Sequence, residues 1–243
     1  MCGRYAITSP PEAIRALFGY AEQPNFPPRY NVAPTQPVPV VRLARDPDGA
    51  KRRHFLLVRW GLLPAFVKDV STFPLLINAR AETAAEKPSF RAAMKRRRCL
   101  FIADAYYEWL REGKAGGRKP GRARPFLFRR ADGRPDGRPM AFAGLYETYS
   151  SPDGSEIDTA CLLTTDANGA TAAIHDRMPA ILDPRDFDAW LDCDEVDARS
   201  ASRLLRPAPD DALEFFEIGT AVNKAAADGA WLQEPLARAN AGG

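Results

Sequence analysis

The sequence predicts an α+β fold, a single domain over residues 1–236 with a frayed tail at 237–243. Its core is expected to be a curved, mostly antiparallel β-sheet or open barrel with flanking helices. Three observations lead there. Short apolar runs bounded by Gly, Pro and charged residues recur along the chain, which is the pattern of strands rather than of long helices. The few helical stretches fall irregularly among them. No internal repeat or low-complexity linker divides the 243 residues, and the chemically interesting side chains come from both halves.

Taken in order, residues 10–18 read as a short helix, with Ser9 as N-cap and Pro10 and Pro11 in the first turn. Residues 21–39 are proline-rich and extended. A strand over 55–60 is ended by Gly61 and Pro64. Lys87 and Pro88 open a helix that ends near residue 97, and 99–109 follows as one apolar strand with Glu108 towards its far end. The stretch 112–124, rich in Gly, Lys, Arg and Pro, is a turn or loop. Further strands are expected at 126–129, 140–146, 159–165 and 213–218, with helices near 168–173, 185–191 and 197–205.

With 45% hydrophobic and 27% charged residues, the composition is that of a soluble globular protein. No apolar stretch approaches the roughly 18 residues of a membrane span, and no secretory leader is visible, so a cytoplasmic location is expected. Four scattered cysteines without a CxxC pair, and only His54 and His175, give no basis for a metal site. Gly-rich phosphate cradles are absent too, so no cofactor is expected. The net charge of +3 conceals an uneven distribution. Arg91, Lys95, Arg96, Arg97 and Arg98 form one basic cluster, and residues 111–138 carry ten Lys or Arg against three acids. Such asymmetry suits a nucleic-acid surface, and equally a solvated helix end and a basic loop.

Cys2 has a distinctive chemistry available to it. Once Met1 is removed, its α-amine (reference pKa about 7.7–8.0) lies beside its thiol (about 8.5). An internal cysteine has no such amine. A 1,2-aminothiol attacks an aldehyde through nitrogen, loses water to form an imine, and closes through sulfur into a five-membered thiazolidine. Gly3 permits close backbone approach, and Arg4 adds a permanent cation suited to a phosphate or simply to the surface.

Six segments then occur in order: Met1-Cys2-Gly3-Arg4-Tyr5, residues 29–34 (Arg29 to Pro34), 59–64 (Arg59 to Pro64), 77–82 (Ile77 to Glu82), 103–109 (Ala103 to Trp109) and 174–179 (Ile174 to Pro179). Together they resemble the SOS-response-associated peptidase (SRAP) family, proteins that process and shield abasic sites, over residues 2 to about 224. The resemblance implies that Met1 is removed by the protein's own autopeptidase activity, and that Cys2 crosslinks to the ring-opened aldehyde of an abasic site. The implied partner is single-stranded DNA, including junctions with duplex, bound by a monomer.

The same resemblance implies catalytic roles for Cys2, Asn78, Glu108 and His175, and DNA contacts for Gly3, Arg4, Pro34, Trp60, Phe66 and Arg80. Asn78 would hold the Cys2 amine or a sugar oxygen; otherwise it satisfies backbone at a strand end. Arg80 would bind phosphate, or else pair with Glu82. Glu108, in an apolar setting, would carry a raised pKa and move protons, unless it faces solvent. His175, with a reference pKa near 6.5, would exchange protons with the sugar, or serve as a satisfied structural histidine. Trp60, Phe66, Tyr106 and Trp109 are aromatic platforms for unpaired bases or core residues, with Trp60 the best suited to packing.

The chain departs from the family at three places. Ala65-Phe66-Val67 stands where a Trp is expected, Ala105 stands where Gly is frequent, and Ala221-Val222-Asn223-Lys224 matches the asparagine-rich ending only in part. Two other classes remain open on the residues alone. One is an N-terminal-nucleophile cysteine amidohydrolase or peptidase, in which the thiol attacks. The other is a non-catalytic nucleic-acid-binding module.

Overall fold

The computed structural model describes residues 2–111, 123–131 and 138–236. The strands are β1 (Tyr5–Ile7), β2 (Arg29–Val32), β3 (Pro37–Arg45), β4 (Lys51–Trp60), β5 (Asn78–Arg80), β6 (Arg98–Ala103), β7 (Ala105–Leu110), β8 (Arg124–Arg130), β9 (Met140–Ser150), β10 (Glu156–Asp166), β11 (Arg177–Pro179), β12 (Ile181–Leu182) and β13 (Leu213–Glu217). The helices are α1 (Pro11–Phe18), α2 (Ala81–Ala84), α3 (Pro88–Arg96), α4 (Phe187–Leu191) and α5 (Ala198–Ser202). The α+β class and the largely antiparallel pairing follow the sequence. Among the described residues no helix is long and apolar enough to cross a membrane.

Pairing divides the strands into two sheets. The smaller runs β13-β8-β7-β1-β2. In the larger, β10 pairs with β4, β4 with β3, β3 with β6, β6 with β9, and β9 returns to β10, so these five strands close into a ring. β5 and β11 both pair with β10, β5 in parallel, and β12 pairs with β9. Closure gives each of these five strands a paired neighbour on both sides.

The small sheet is buried on both faces. Tyr5, Tyr106 and Phe128 pack with the ring, while Ala6, Ala105, Tyr107 and Leu127 are covered by Ile218, Val222 and Leu232 of the C-terminal segment. That double burial explains why residues 105–108 read as continuously apolar apart from Glu108. Large side chains fill the centre, among them Trp60, Trp190, Phe101 and Phe142, each worth about 1.5–3 kcal/mol when removed from water.

Several expected elements differ. The strand at 99–109 is two strands, broken at Asp104. The Asp104 carboxylate accepts from Thr8 N (2.6 Å) and Ser9 N (2.8 Å), and Ser9 Oγ also donates to it, so the bend pins the turn after β1. Ser9 is therefore not the cap of α1; Pro10 occupies that position, with no side-chain cap bond. Residues 168–173 form turns rather than a helix. Asn168 Oδ1 accepts from Thr171 N (2.9 Å) and Oγ1 (2.7 Å), a local bonding pattern that competes with the helical one. α2 was not foreseen, and α5 is shorter than the helix expected near 197–205. The extended reading of 21–39 resolves into β2 and the start of β3. The loop expected at 112–124 and the tail at 237–243 lie mostly or wholly outside the described residues.

Arg98, from the basic cluster, is a core residue. Its guanidinium donates to the carbonyls of Trp190 (2.5 Å), Met94 (3.2 Å), Asp192 (2.8 Å) and Val196 (2.7 Å). Four carbonyls at the ends of α3 and α4 thus share one buried cation.

Ring closure makes a packing demand at Gly144, which lies opposite Cys99 on β6 and Leu162 on β10. A methyl group there would sit 2.5 Å from Phe101 Cδ2 and 3.0 Å from Cys99 Sγ. Gly144→Ala is expected to destabilise the fold by about 1–3 kcal/mol through overpacking. Urea denaturation checks this; an unchanged midpoint would mean that Phe101 has room to turn aside.

Candidate active site

Cys2 lies just before β1 and is fully buried. Its position is fixed through backbone more than side chain. The carbonyl accepts a 2.8 Å hydrogen bond from Asn78 Nδ2, and the thiol makes only a weak 3.6 Å contact to Arg4 O. Asn78 opens β5, opposite Leu162 of β10, so the asparagine belongs to the ring while Cys2 belongs to the small sheet. The other amide atom, Asn78 Oδ1, is buried with no partner among the described residues. Gly3 is half-buried beside it. Burial pushes the Cys2 thiol far above its ordinary value, with the nearby Glu108 carboxylate adding to the effect.

Glu108 sits on β7, two residues after Tyr106 on the same face, and is only 3% exposed. Burial raises its carboxyl from 4.5 to about 7. The alternative of a solvent-facing carboxylate is excluded by that burial. His175 lies in the connection between β10 and β11, with Nε2 at 3.9 Å from Glu108 Oε2. Its Nδ1 faces two groups: the Arg177 N–H, which donates to it at 3.0 Å, and the exposed Asp176 carboxylate at 2.9 Å. Nδ1 can accept from the first or donate to the second, but not both. Desolvation holds the imidazole below its ordinary value, favouring the neutral ring. If Nδ1 accepts, the proton is on Nε2, directed at Glu108.

Four chain segments remote in sequence thus bring Cys2, Asn78, Glu108 and His175 together. The other expected contacts divide. Phe66 is 58% exposed and meets Phe73 edge-on at 6.3 Å. Arg80 is exposed at the start of α2, and Pro34 is half-buried. Trp60 is fully buried, edge-on to Tyr5 at 5.2 Å, with its indole N–H donating to Ile77 O at 3.0 Å. No face of that ring is open to a base, so the expectation that Trp60 contacts DNA is corrected to a packing role. Tyr106 is likewise buried, stacked on Phe128 at 4.7 Å.

Arg4 is largely engaged within the protein. It donates to Asn31 Oδ1 (2.9 Å), Val222 O (2.7 Å) and Asn223 O (3.4 Å). Asn31 in turn donates to the carbonyls of Val222, Lys224 and Ala227. Asn223 accepts from Trp109 Nε1 at 2.7 Å. The partly matched segment 221–224 therefore buttresses the N-terminus from behind. Sequence reasoning missed Asn31 in this role, although it stands inside one of the six segments.

Arg177 was also missed. It donates to both oxygens of Glu82 at 2.9 Å, to Asp166 at 2.5 Å and to Thr164 O at 2.5 Å. The alternative in which Glu82 pairs with Arg80 is thus replaced by pairing with Arg177. This ion pair ties the segment after His175 to the segment after Asn78, linking two walls of the site.

Residues 1–225 match the family model for SOS response associated peptidase (SRAP). The abasic site processing protein YoqW of Bacillus subtilis is 35% identical over 226 residues, covering 92% of this chain and 94% of that protein. The abasic site processing protein HMCES of Gallus gallus is 30% identical over 258 residues, covering 92% of this chain and 74% of that one. A crystal structure of a Bacteroides thetaiotaomicron protein superposes with a TM-score of 0.79 at 22% identity, over 97% of this chain and 100% of that one, and shows the shared fold. A Bordetella bronchiseptica protein gives 0.71 at 26% identity, over 90% and 100%.

Glu108 also makes stability depend on pH. Its folded pKa of about 7 exceeds the ordinary 4.5, so between these values the folded protein keeps a proton that the unfolded chain has released. The stability carried by the protonated carboxyl is present below that window and lost as pH rises through it. Glu108→Gln, neutral throughout, is expected to gain stability relative to wild type from about pH 5 to about pH 7.5. Denaturation curves across that range test it, and parallel pH profiles for the two proteins would contradict it.

Proposed function

The chain belongs to the SOS response associated peptidase (SRAP) family, and from that membership we propose that it processes abasic sites in single-stranded DNA by bonding covalently to them through Cys2. The observation that carries this reading is the grouping of Cys2, Asn78, a buried Glu108 and His175 in one place. The names of the relatives support the same substrate.

The chemistry begins with hydrolysis of the Met1–Cys2 peptide bond, an autopeptidase step. It consumes one water, releases methionine and frees the Cys2 α-amine. The amine nitrogen attacks the aldehyde carbon of the ring-opened sugar, and one water leaves to give an imine. Cys2 Sγ then adds to the imine carbon while its proton passes to the nitrogen, closing a thiazolidine. Nitrogen acts first because burial keeps the thiol protonated. The same fact weighs against an amidohydrolase in which a thiolate opens the attack.

Glu108, near pKa 7, is divided between acid and base forms at neutral pH, so it serves both the water-losing step and its reversal. His175 exchanges protons with the sugar oxygen. Asn78 holds the Cys2 backbone at 2.8 Å and offers its buried carbonyl oxygen to the amine. Arg80 takes a flanking phosphate and Phe66 a neighbouring base. Gly3 and Pro34 line the approach of the strand, and Arg4 contributes mainly by holding the N-terminal segment. The protein acts as a monomer on cytoplasmic DNA, including single-strand/duplex junctions. A purely non-catalytic binding module would have no use for a carboxyl buried at the cost of its charge.

Single-stranded DNA with one abasic site is expected to give a heat-stable adduct whose mass lacks Met1. Cys2→Ala should give none, and Glu108→Gln should form it about a hundredfold more slowly. Equal crosslinking by Cys2→Ala, or an adduct retaining Met1, would falsify the mechanism. Phe66→Ala is expected to weaken non-covalent binding of undamaged single strands by about 1–3 kcal/mol, read from equilibrium titration; an unchanged Kd removes Phe66 as a stacking platform.

A further inference from the structure

The basic cluster read in the sequence at residues 91–98 does not act as a unit in the fold. Arg98 is buried on four carbonyls, and Arg97 pairs with Glu147 at 2.8 Å. Arg91, Lys95 and Arg96 remain exposed on α3, and Lys87, its N-cap residue, makes a series of three with Arg91 and Lys95. None of these three forms an ion pair or side-chain hydrogen bond with a described residue.

Their spacing is regular. Residues 87, 91 and 95 recur every four positions, so they form one stripe along the helix, with successive cations about 6 Å apart along the axis. An adjoining face of α3 buries Phe90, Ala93 and Met94 and holds the helix in place. Three unpaired like charges at i, i+4 and i+8 repel one another and weaken an isolated helix. Nothing in the packing of α3 needs them, since the buried face is apolar. A 6 Å repeat of cations is comparable to the spacing of neighbouring phosphates along a nucleic-acid strand.

The stripe is also connected to the candidate active site. β5, which opens with Asn78 and ends with Arg80, runs directly into α2, and α2 packs against α3. Arg80 and the stripe are therefore joined through α2 and the residues after it, which also carry Glu82, paired with Arg177, and the exposed Glu86.

We propose that Lys87, Arg91 and Lys95 form a phosphate track that holds the DNA strand flanking the reacting nucleotide. This rests on the DNA-processing reading above and adds a surface to it. The track contributes affinity for length of strand, with no part in bond formation at Cys2. Its contribution is independent of base sequence and sensitive to salt, because each phosphate neutralised releases counterions.

The test uses the full-length protein and a K87Q/R91Q/K95Q variant, with folding checked by circular dichroism. Binding to a long undamaged single strand is titrated at several salt concentrations. Loss of three phosphate contacts should make the slope of log K against log salt shallower by about 2. Crosslinking of a short oligonucleotide, confined to an abasic site and its immediate neighbours, should be unchanged. An unaltered slope on the long strand overturns the proposal. So does an equal loss of crosslinking on the short one, which would place the residues' effect at Cys2. The titration needs no abasic site, so failure of the covalent chemistry would appear separately, as absence of adduct from wild type.

Discussion

The hydrogen bond from Asn78 Nδ2 to the carbonyl of Cys2, 2.8 Å long, joins the ring of strands to the end of the chain, and much of the structure is arranged so that it can form. Chain termini ordinarily fray, because their last residues have neighbours on one side only. Here the residue next to the terminus is the proposed reacting group, whose geometry must be held. The molecule meets that requirement by restraining the N-terminal segment from several directions. β7 pairs with β1, and Tyr107 N donates to Arg4 O at 3.0 Å. Asp104 pins the turn that follows β1. Arg4, Asn31 and the carbonyls of 222–227 anchor it to the C-terminal segment. A chain end becomes as fixed as an internal strand.

The same arrangement sets the electrostatics. Covering the small sheet on both faces leaves β7 without a wet side, so Glu108 is desolvated whichever way it points. Its raised pKa is therefore a consequence of the layer architecture. Arg177 plays the matching part on the other wall. It takes up both oxygens of Glu82, and Arg80 stays exposed two residues from Asn78.

How much of this was legible beforehand depended on whether the determining contact was local. Hydrophobic runs bounded by Gly and Pro located β4, β9, β10 and β13, because strand burial is written in alternation and apolar runs. Cys2 was legible from its position alone, since no internal cysteine has an amine to offer. Asn78, Glu108 and His175 were legible only as members of matched segments; their mutual approach depends on ring closure, which no local pattern encodes. The break at Asp104 was hidden because it depends on Thr8 and Ser9, almost a hundred residues away. The basic cluster misled for a related reason: five consecutive-looking cations fall on different sides of a helix and its exit, and one of them belongs to the core.

If Cys2 reacts as proposed, these observations set the order of events there. A buried thiol with a raised pKa is a poor first nucleophile, and before Met1 leaves its nitrogen is an amide. Neither group is then reactive in the unprocessed chain. Cleavage at Met1 converts the nitrogen into an amine in a site where Asn78 already holds the adjoining carbonyl and Glu108 is ready to give or take a proton. Once nitrogen has captured the aldehyde, the thiol no longer needs to ionise in free solution. It is tethered to the imine carbon and transfers its proton as it adds, so proximity replaces acidity as the source of its reactivity. Burial of Cys2, which argues against a general cysteine nucleophile, is thereby the condition that makes a selective aminothiol.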